Sequence, residues 1–262
     1  MSTATLPATT DDRERHYVGT RNLLLDGLTL SSGAIDAISF LGLGKVFTAF
    51  MTGNLAFLGM ALASETGVSA YGVTPPRALS VLASLVAFGI GVAIGTRIIK
   101  SPVAHDGRHT ASSLWPQGTT IVLGLSLLAH LCFAAIWFAT GARPGDTAVP
   151  VLLAVWAAAM GMQSAAVRRL DIGGIFTTAA TGTVIVLFSD LVSFRATAEE
   201  RHRAFGVLVS LIMGATVGGL LLIHAPVYAP TFSLVVTALV FVTAVRVFGA
   251  KGGEATELRK AA

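Results

Sequence analysis

Asp36 lies inside an apolar run, on a helical face that carries other hydrogen-bonding groups. Thr29, Ser32, Asp36 and Ser39 are separated by three, four and three residues. That spacing stacks them on one side of a helix, with Gly33 beside them. An ionisable side chain at bilayer depth costs about 2.5–3.5 kcal/mol on insertion scales, so Asp36 is expected to face a bundle interior rather than lipid. There it could relay a proton or cation, or anchor a ligand. A plainer role is a protonated or hydrogen-bonded carboxyl that fixes helix packing. Two further groups could bind a small solute or ion: Thr52-Gly53-Asn54 and Thr181-Gly182-Thr183. Glycine lets a ligand approach the backbone, and Thr and Asn supply donors and acceptors. The alternative is that these small residues only permit close helix packing. Gln163 sits in a second apolar run and could bond to a ligand or across helices.

Other chemistries find no support. The sequence has no H-E-x-x-H, no G-x-S-x-G and no phosphate-binding glycine loop with lysine. Ser126 and His130 are four apart on one helix but lack a third group, so a nonenzymatic protein is expected. His130 and His224 have no second ligand one turn away, and neither a metal nor a cofactor is expected. Ser80, Ser84, Ala87, Gly91 and Gly95 form a small-residue stripe, as do Gly206, Ser210, Gly214 and Gly218; both read as packing faces. Trp115, Trp137 and Trp156 lie towards the ends of apolar runs, where interfacial anchoring is the expected role.

The elements that must position these residues are apolar helices. Of 262 residues, 53% are hydrophobic and only 12% charged. A soluble domain carries about 25% charged residues, so this chain has too little polar surface for water. Full spans are expected at 22–43, 78–99, 118–140, 148–167, 204–224 and 229–248, bounded by prolines such as Pro76, Pro102, Pro116, Pro150 and Pro226. Segments 46–63 and 173–193 are apolar but carry Gly and Thr mid-run, as a broken or re-entrant helix would. The organisation expected is a tail at 1–21, a first membrane repeat at 22–140, a second at 148–248 and a tail at 249–262. The first 21 residues are polar, and no short apolar core with a cleavage site follows, so the first span reads as retained. The single cysteine, Cys132, permits no internal disulfide. The +4 charge sits at the ends of apolar runs, which points to topology signals and not to nucleic acid.

The two broken segments look duplicated. Phe47-Thr48-Ala49-Phe50-Met51-Thr52-Gly53-Asn54 aligns without gaps with Phe176 to Thr183, 129 residues on. Gly33 to Ala37 parallels Gly161 to Ala165 at 128, and Ala83, Ala87 and Gly91 parallel Ser210, Gly214 and Gly218 at 127. If both segments dip and return, 15 of the 18 Lys and Arg fall on one side and only Lys45, Arg77 and Arg143 on the other. If both cross, the division is 12 to 6. The positive-inside bias favours six spans, with both termini cytoplasmic. Each repeat then holds three spans, so the second is inverted. The fold class expected is an all-α polytopic transmembrane bundle of about six full spans, plus two broken or re-entrant helices in an inverted repeat.

Gly33-Ala34-Ile35-Asp36-Ala37-Ile38-Ser39-Phe40, followed by Phe47 and Met51-Thr52-Gly53-Asn54, resembles the YoaK-like family of bacterial inner-membrane proteins. Gly161-Met162-Gln163-Ser164-Ala165, Arg168-Arg169 and Thr181-Gly182 resemble its second-half signature. The resemblance covers roughly residues 20–250. It implies a six-span protein of the bacterial cytoplasmic membrane, and it supplies no substrate or catalytic residue. The function expected is a small-solute or ion transporter or channel with a midplane site between inverted repeats. The competing reading is a non-transporting scaffold or regulatory partner. Expected partners are the lipid bilayer, a small solute or ion that could be coupled to protons, and further copies of the chain.

Overall fold

A computed structural model describes residues 10–64, 75–99, 115–170, 180–193 and 197–249. The described residues form eight α-helices and no strands. They are α1 (Thr10–Gly42), α2 (Met51–Ser64), α3 (Ala78–Ile98), α4 (Gln117–Ala139), α5 (Ala148–Arg169), α6 (Ala180–Ser193), α7 (Ala198–His224) and α8 (Ala229–Ala244). A 3₁₀ turn, Pro226–Tyr228, joins α7 to α8, and a π turn, Val245–Gly249, follows α8. Six spans are long and apolar enough to cross a membrane: α1, α3, α4, α5, α7, and α8 taken with its flanking turns as Pro226–Phe248. The other two helices have 14 residues each. At 1.5 Å per residue the described part of each is about 21 Å long, against roughly 30 Å of hydrocarbon.

Glycines set the closest approaches. A methyl added at Gly214 would overlap the Leu30 carbonyl, and one at Gly218 would lie 2.6 Å from the Ala34 carbonyl oxygen. The pairing advances along both chains, so α1 and α7 run parallel. The same relation joins α3 to α5, through Gly91 against Ala158 and Gly95 against Met162. Gly33 and Gly161 close the two seams from the other side, against Leu211 and Phe88. Small residues allow this backbone contact in a bilayer, where packing replaces the hydrophobic effect as the force between helices.

Other contacts fix the remaining directions. Gly27 meets Val240, Ser31 bonds Thr237, and Tyr17 meets Phe248, so α1 and α8 are antiparallel. Trp115 stacks on Phe248, Gly124 meets Phe241, and Trp137 Nε1 donates to the Pro226 carbonyl at 2.9 Å, so α4 and α8 are also antiparallel. Ser126 against Ala159 and Phe133 against Trp156 make α4 and α5 antiparallel. With α1 taken as rising, α8 falls, α4 rises, and α5 and α3 fall, while α7 rises. The chain therefore leaves α1 and enters α3 at the same end of the bundle, and α2 does not cross. It leaves α5 and enters α7 at the opposite end, and α6 does not cross. Eight crossings would instead make α4 and α8 parallel.

Helices α1–α4 and α5–α8 are thus two repeats of opposite direction. Each pair packed within or between them has a counterpart: α1 on α7 with α5 on α3, α1 on α8 with α5 on α4, α2 on α3 with α6 on α7, and α3 on α4 with α7 on α8. The α1–α5 and α4–α8 pairs map onto themselves. The structural register corrects one sequence match. Gly91 occupies the position of Gly214, and Gly95 that of Gly218. This offset is 123, one helical turn from the 127 read off the sequence.

The tryptophans also depart from expectation. Trp115, Trp137 and Trp156 are all buried, and Trp156 stacks face to face on Phe133 with centroids 3.4 Å apart. They are core residues, not interfacial anchors. Their runs end in polar loops, but their rings turn inward onto neighbouring helices.

Candidate functional site

Helix α1 ends where Gly44 and Lys45 take left-handed φ values of 87° and 62°. The Lys45 N–H bonds back to the Phe40 carbonyl, closing the helix. The chain then turns inward over residues 46–50 before α2 starts at Met51. This short link is where Asp36 acts. Its Oδ1 accepts from the Thr48 and Ala49 backbone N–H groups, both at 2.8 Å, and from Thr48 Oγ1 at 3.3 Å. The Phe50 N–H also faces the carboxylate. Consecutive amides at a helix start form an anion-binding nest with the helix dipole behind it. Asp36 fills that nest from the adjoining span, so a residue of α1 caps α2.

Asn54 braces the same link from the other side. Its Oδ1 accepts from the Phe47 N–H at 3.0 Å, and its Nδ2 donates to the Phe47 carbonyl at 2.6 Å and to Ser84 Oγ at 3.2 Å. Ser84, on α3, donates in turn to the Phe47 carbonyl at 2.7 Å. Both backbone groups of Phe47 are therefore satisfied without a helix, as bilayer depth demands. The Phe47 ring lies between Phe40 and Phe57, with Phe50 edge-on. Gly53 makes room for this cluster, since a methyl there would fall 2.7 Å from the Phe50 ring.

The structure brings Asp36, Gly53 and Asn54 together at this link. Ser39 joins them through its hydroxyl, which donates to the Asp36 carbonyl at 3.1 Å. Thr52 is exposed on the outer face of α2. Ser32 and Gln163 lie elsewhere, at the α1–α5 crossing on the pseudo-two-fold axis. Gln163 Nε2 donates to the Leu28 carbonyl at 3.2 Å. Ser32 stands one turn above Leu28, and neither its hydroxyl nor Gln163 Oε1 has a hydrogen-bond partner. Gly182 is half-buried and Thr183 buried, while the Thr181 side chain and residues 171–179 lie outside the described residues.

Residues absent from the sequence-derived site carry much of it. Thr48 was visible only as part of the repeat, where Thr177 matches it. Ser84 sat in the small-residue stripe and acts as a polar brace. In the second repeat Ser164 stands where the first has Asp36, and its hydroxyl donates to the Met160 carbonyl at 2.7 Å. A buried Asp190 on α6 pairs with Arg201 of α7 at 3.1 Å, tying the second short helix to the following span.

Crossing helices, exchanged seams and two non-crossing helices at opposite ends define a multi-pass membrane protein built on an inverted structural repeat. The chain belongs to the family described as "Protein of unknown function (DUF1275)", whose model matches residues 24–245. It is similar to the UPF0700 transmembrane protein YoaK of Bacillus subtilis (strain 168), with 33% identity over 171 residues, covering 65% of this chain and 67% of the relative. No solved structure matches it.

Proposed function

We propose that this protein is a small-solute or ion transporter or channel of the bacterial cytoplasmic membrane, with both termini in the cytoplasm. The observation that carries this reading is the inverted repeat with a short, non-crossing helix entering from each end. Transporter folds use this arrangement to place a site near the midplane between repeats. The solute site is assigned to the α1–α5 crossing, where Ser32 and Gln163 hold buried polar atoms without partners. Such atoms are costly at bilayer depth unless a water or ligand meets them. Asp36 and Asn54 serve the site by holding the entry to α2. The charge bias of the loops supports the orientation.

The test is reconstitution in liposomes with a panel of radiolabelled ions and small solutes. Flux is expected for at least one, and Gln163→Leu is expected to abolish it at normal expression. Failure of every solute would remove the reading. In a chain carrying Cys132→Ser, cysteines placed at Arg77 and Arg143 are expected to react from outside the cell only. One observation favours a second reading, a non-transporting scaffold: the glycine seams bring backbones into direct contact. That reading predicts a heteromeric complex on gentle extraction and no flux.

A further inference from the structure

A second polar cluster lies far from the α1–α5 crossing, at the end of the bundle where α1 and α7 begin. Arg21, Asn22 and Asp26 come from α1, and Arg203 with Gly206 from α7. The parallel seam sets them level: Gly206 lies against Asp26, whose carboxylate stands 3.3 Å from where a Cβ would be. Arg21 and Arg203 are close enough for their charges to oppose each other. Both are half-buried, and the Nε of each is shielded from solvent without a hydrogen-bond partner. Asn22 Oδ1 and Asp26 Oδ1 are also unpartnered.

The nearby carboxylates attract these arginines through space, Glu199 acting on Arg21 and Glu200 on Arg203, but among the described residues neither bonds the unpartnered Nε groups. Glu200 is engaged at the start of α7, accepting from the Thr197 N–H at 2.8 Å and the Thr197 hydroxyl at 3.0 Å. Glu199 is exposed at the rim. Asp26 lies five residues further along α1 than Arg21, about 7–8 Å deeper. Among the described residues it makes no ion pair with either arginine. Half-buried guanidinium groups whose shielded Nε donors lack partners gain from an anion that bonds both. Paired guanidinium forks match the tetrahedral oxygens of phosphate.

We propose that Arg21 and Arg203 form a phosphate-binding site, with the Asn22 amide beside it and Asp26 limiting how deep the anion sits. Its position at a span end matches the depth of lipid headgroups, and an anionic headgroup or free phosphate carries the same chemistry. The site is separate from the α1–α5 crossing, so it stands or falls independently of transport.

The experiment titrates purified, delipidated full-length protein with phosphatidylglycerol and, separately, with inorganic phosphate. Bound species are read by native mass spectrometry and stabilisation by thermal unfolding. Saturable binding of phosphatidylglycerol identifies a headgroup site, and binding of inorganic phosphate alone identifies a free-anion site. The Arg21→Gln/Arg203→Gln variant is expected to lose affinity roughly thirtyfold. If that variant does not fold, each single variant is expected to lose about fivefold. Arg246→Gln removes an exposed charge at the same end and is expected to change affinity less than twofold. Binding of neither species to the wild type overturns the proposal. So does unchanged affinity in a folded Arg21→Gln/Arg203→Gln chain, or an equal loss in Arg246→Gln.

Discussion

Replacing Asp36 by alanine removes the acceptor for two backbone N–H groups and one hydroxyl without touching the backbone itself. Each buried donor left without a partner costs about 1–3 kcal/mol. Three donors give about 3–9 kcal/mol, and partial relaxation of the link places the expected loss at about 3–6 kcal/mol. That is a large share of the roughly 5–15 kcal/mol that stabilises a folded domain. Asp36→Asn keeps one carbonyl oxygen for the amides, loses the charge, and is expected to cost about 1–3 kcal/mol. Unfolding in mixed detergent micelles measures both, and hydrogen exchange at the Thr48 and Ala49 amides locates the effect. Their protection should fall in Asp36→Ala while the amides of α4 keep theirs. Wild-type stability and wild-type protection in Asp36→Ala would refute the bracing argument. Loss of flux in Asp36→Asn at wild-type stability would show that the carboxylate acts on the solute.

The glycine seams give a second prediction. Gly214→Ala places a methyl against the Leu30 backbone and is expected to cost about 1–3 kcal/mol, whereas Gly59→Ala enters open space and should be neutral or gain about 0.5–1 kcal/mol of helix propensity. Thermal unfolding of the two variants side by side checks it, and equal melting temperatures would be the wrong result. A third concerns the exposed Arg77–Asp146 ion pair, 2.9 Å long, which joins the starts of α3 and α5. The hydrogen bond from Arg77, and then its charge, hold the Asp146 carboxyl below its usual range. A depressed carboxyl stabilises the fold above its unfolded pKa, near 3.9, and that contribution is lost as pH falls through the lower folded value. Any gap in melting temperature between wild type and Asp146→Asn should therefore be present at neutral pH, shrink with added salt and close in acid.

The spans were legible because bilayer length and hydropathy act on each run separately. The non-crossing helices were legible because charge bias and duplication both record direction. The partners of Asp36 were not. They are backbone amides 12 and 13 residues further on, and an amide N–H has no residue type to read. The role of Ser84 was hidden for a related reason, since a serine among glycines scores as small before it scores as polar. The seam register failed through aliasing. Glycines four apart, at Gly91 and Gly95 and again at Gly214 and Gly218, match themselves when slid by one turn. Only the carbonyls they touch distinguish the two alignments. Ser32 and Gln163 were named from sequence, but the bond from Gln163 to the Leu28 carbonyl, one turn from Ser32, required the two repeats to interlock.

That interlocking has a consequence for how the chain is made. The closest neighbour of α1 is α7, and the residues that meet, Leu30 and Gly214, are separated by roughly 180 positions. At about 5–20 residues per second, α1 waits roughly 10–40 s in the membrane before its partner is synthesised. Neither half can finish its own packing, because each half keeps its best surface for the other. A gene cut in the loop between α4 and α5 should yield two fragments that assemble only when expressed together. By the same logic, an ancestor with a single half would have worked only as a pair of copies inserted in opposite orientations, and today's internal seams would have been its dimer contacts.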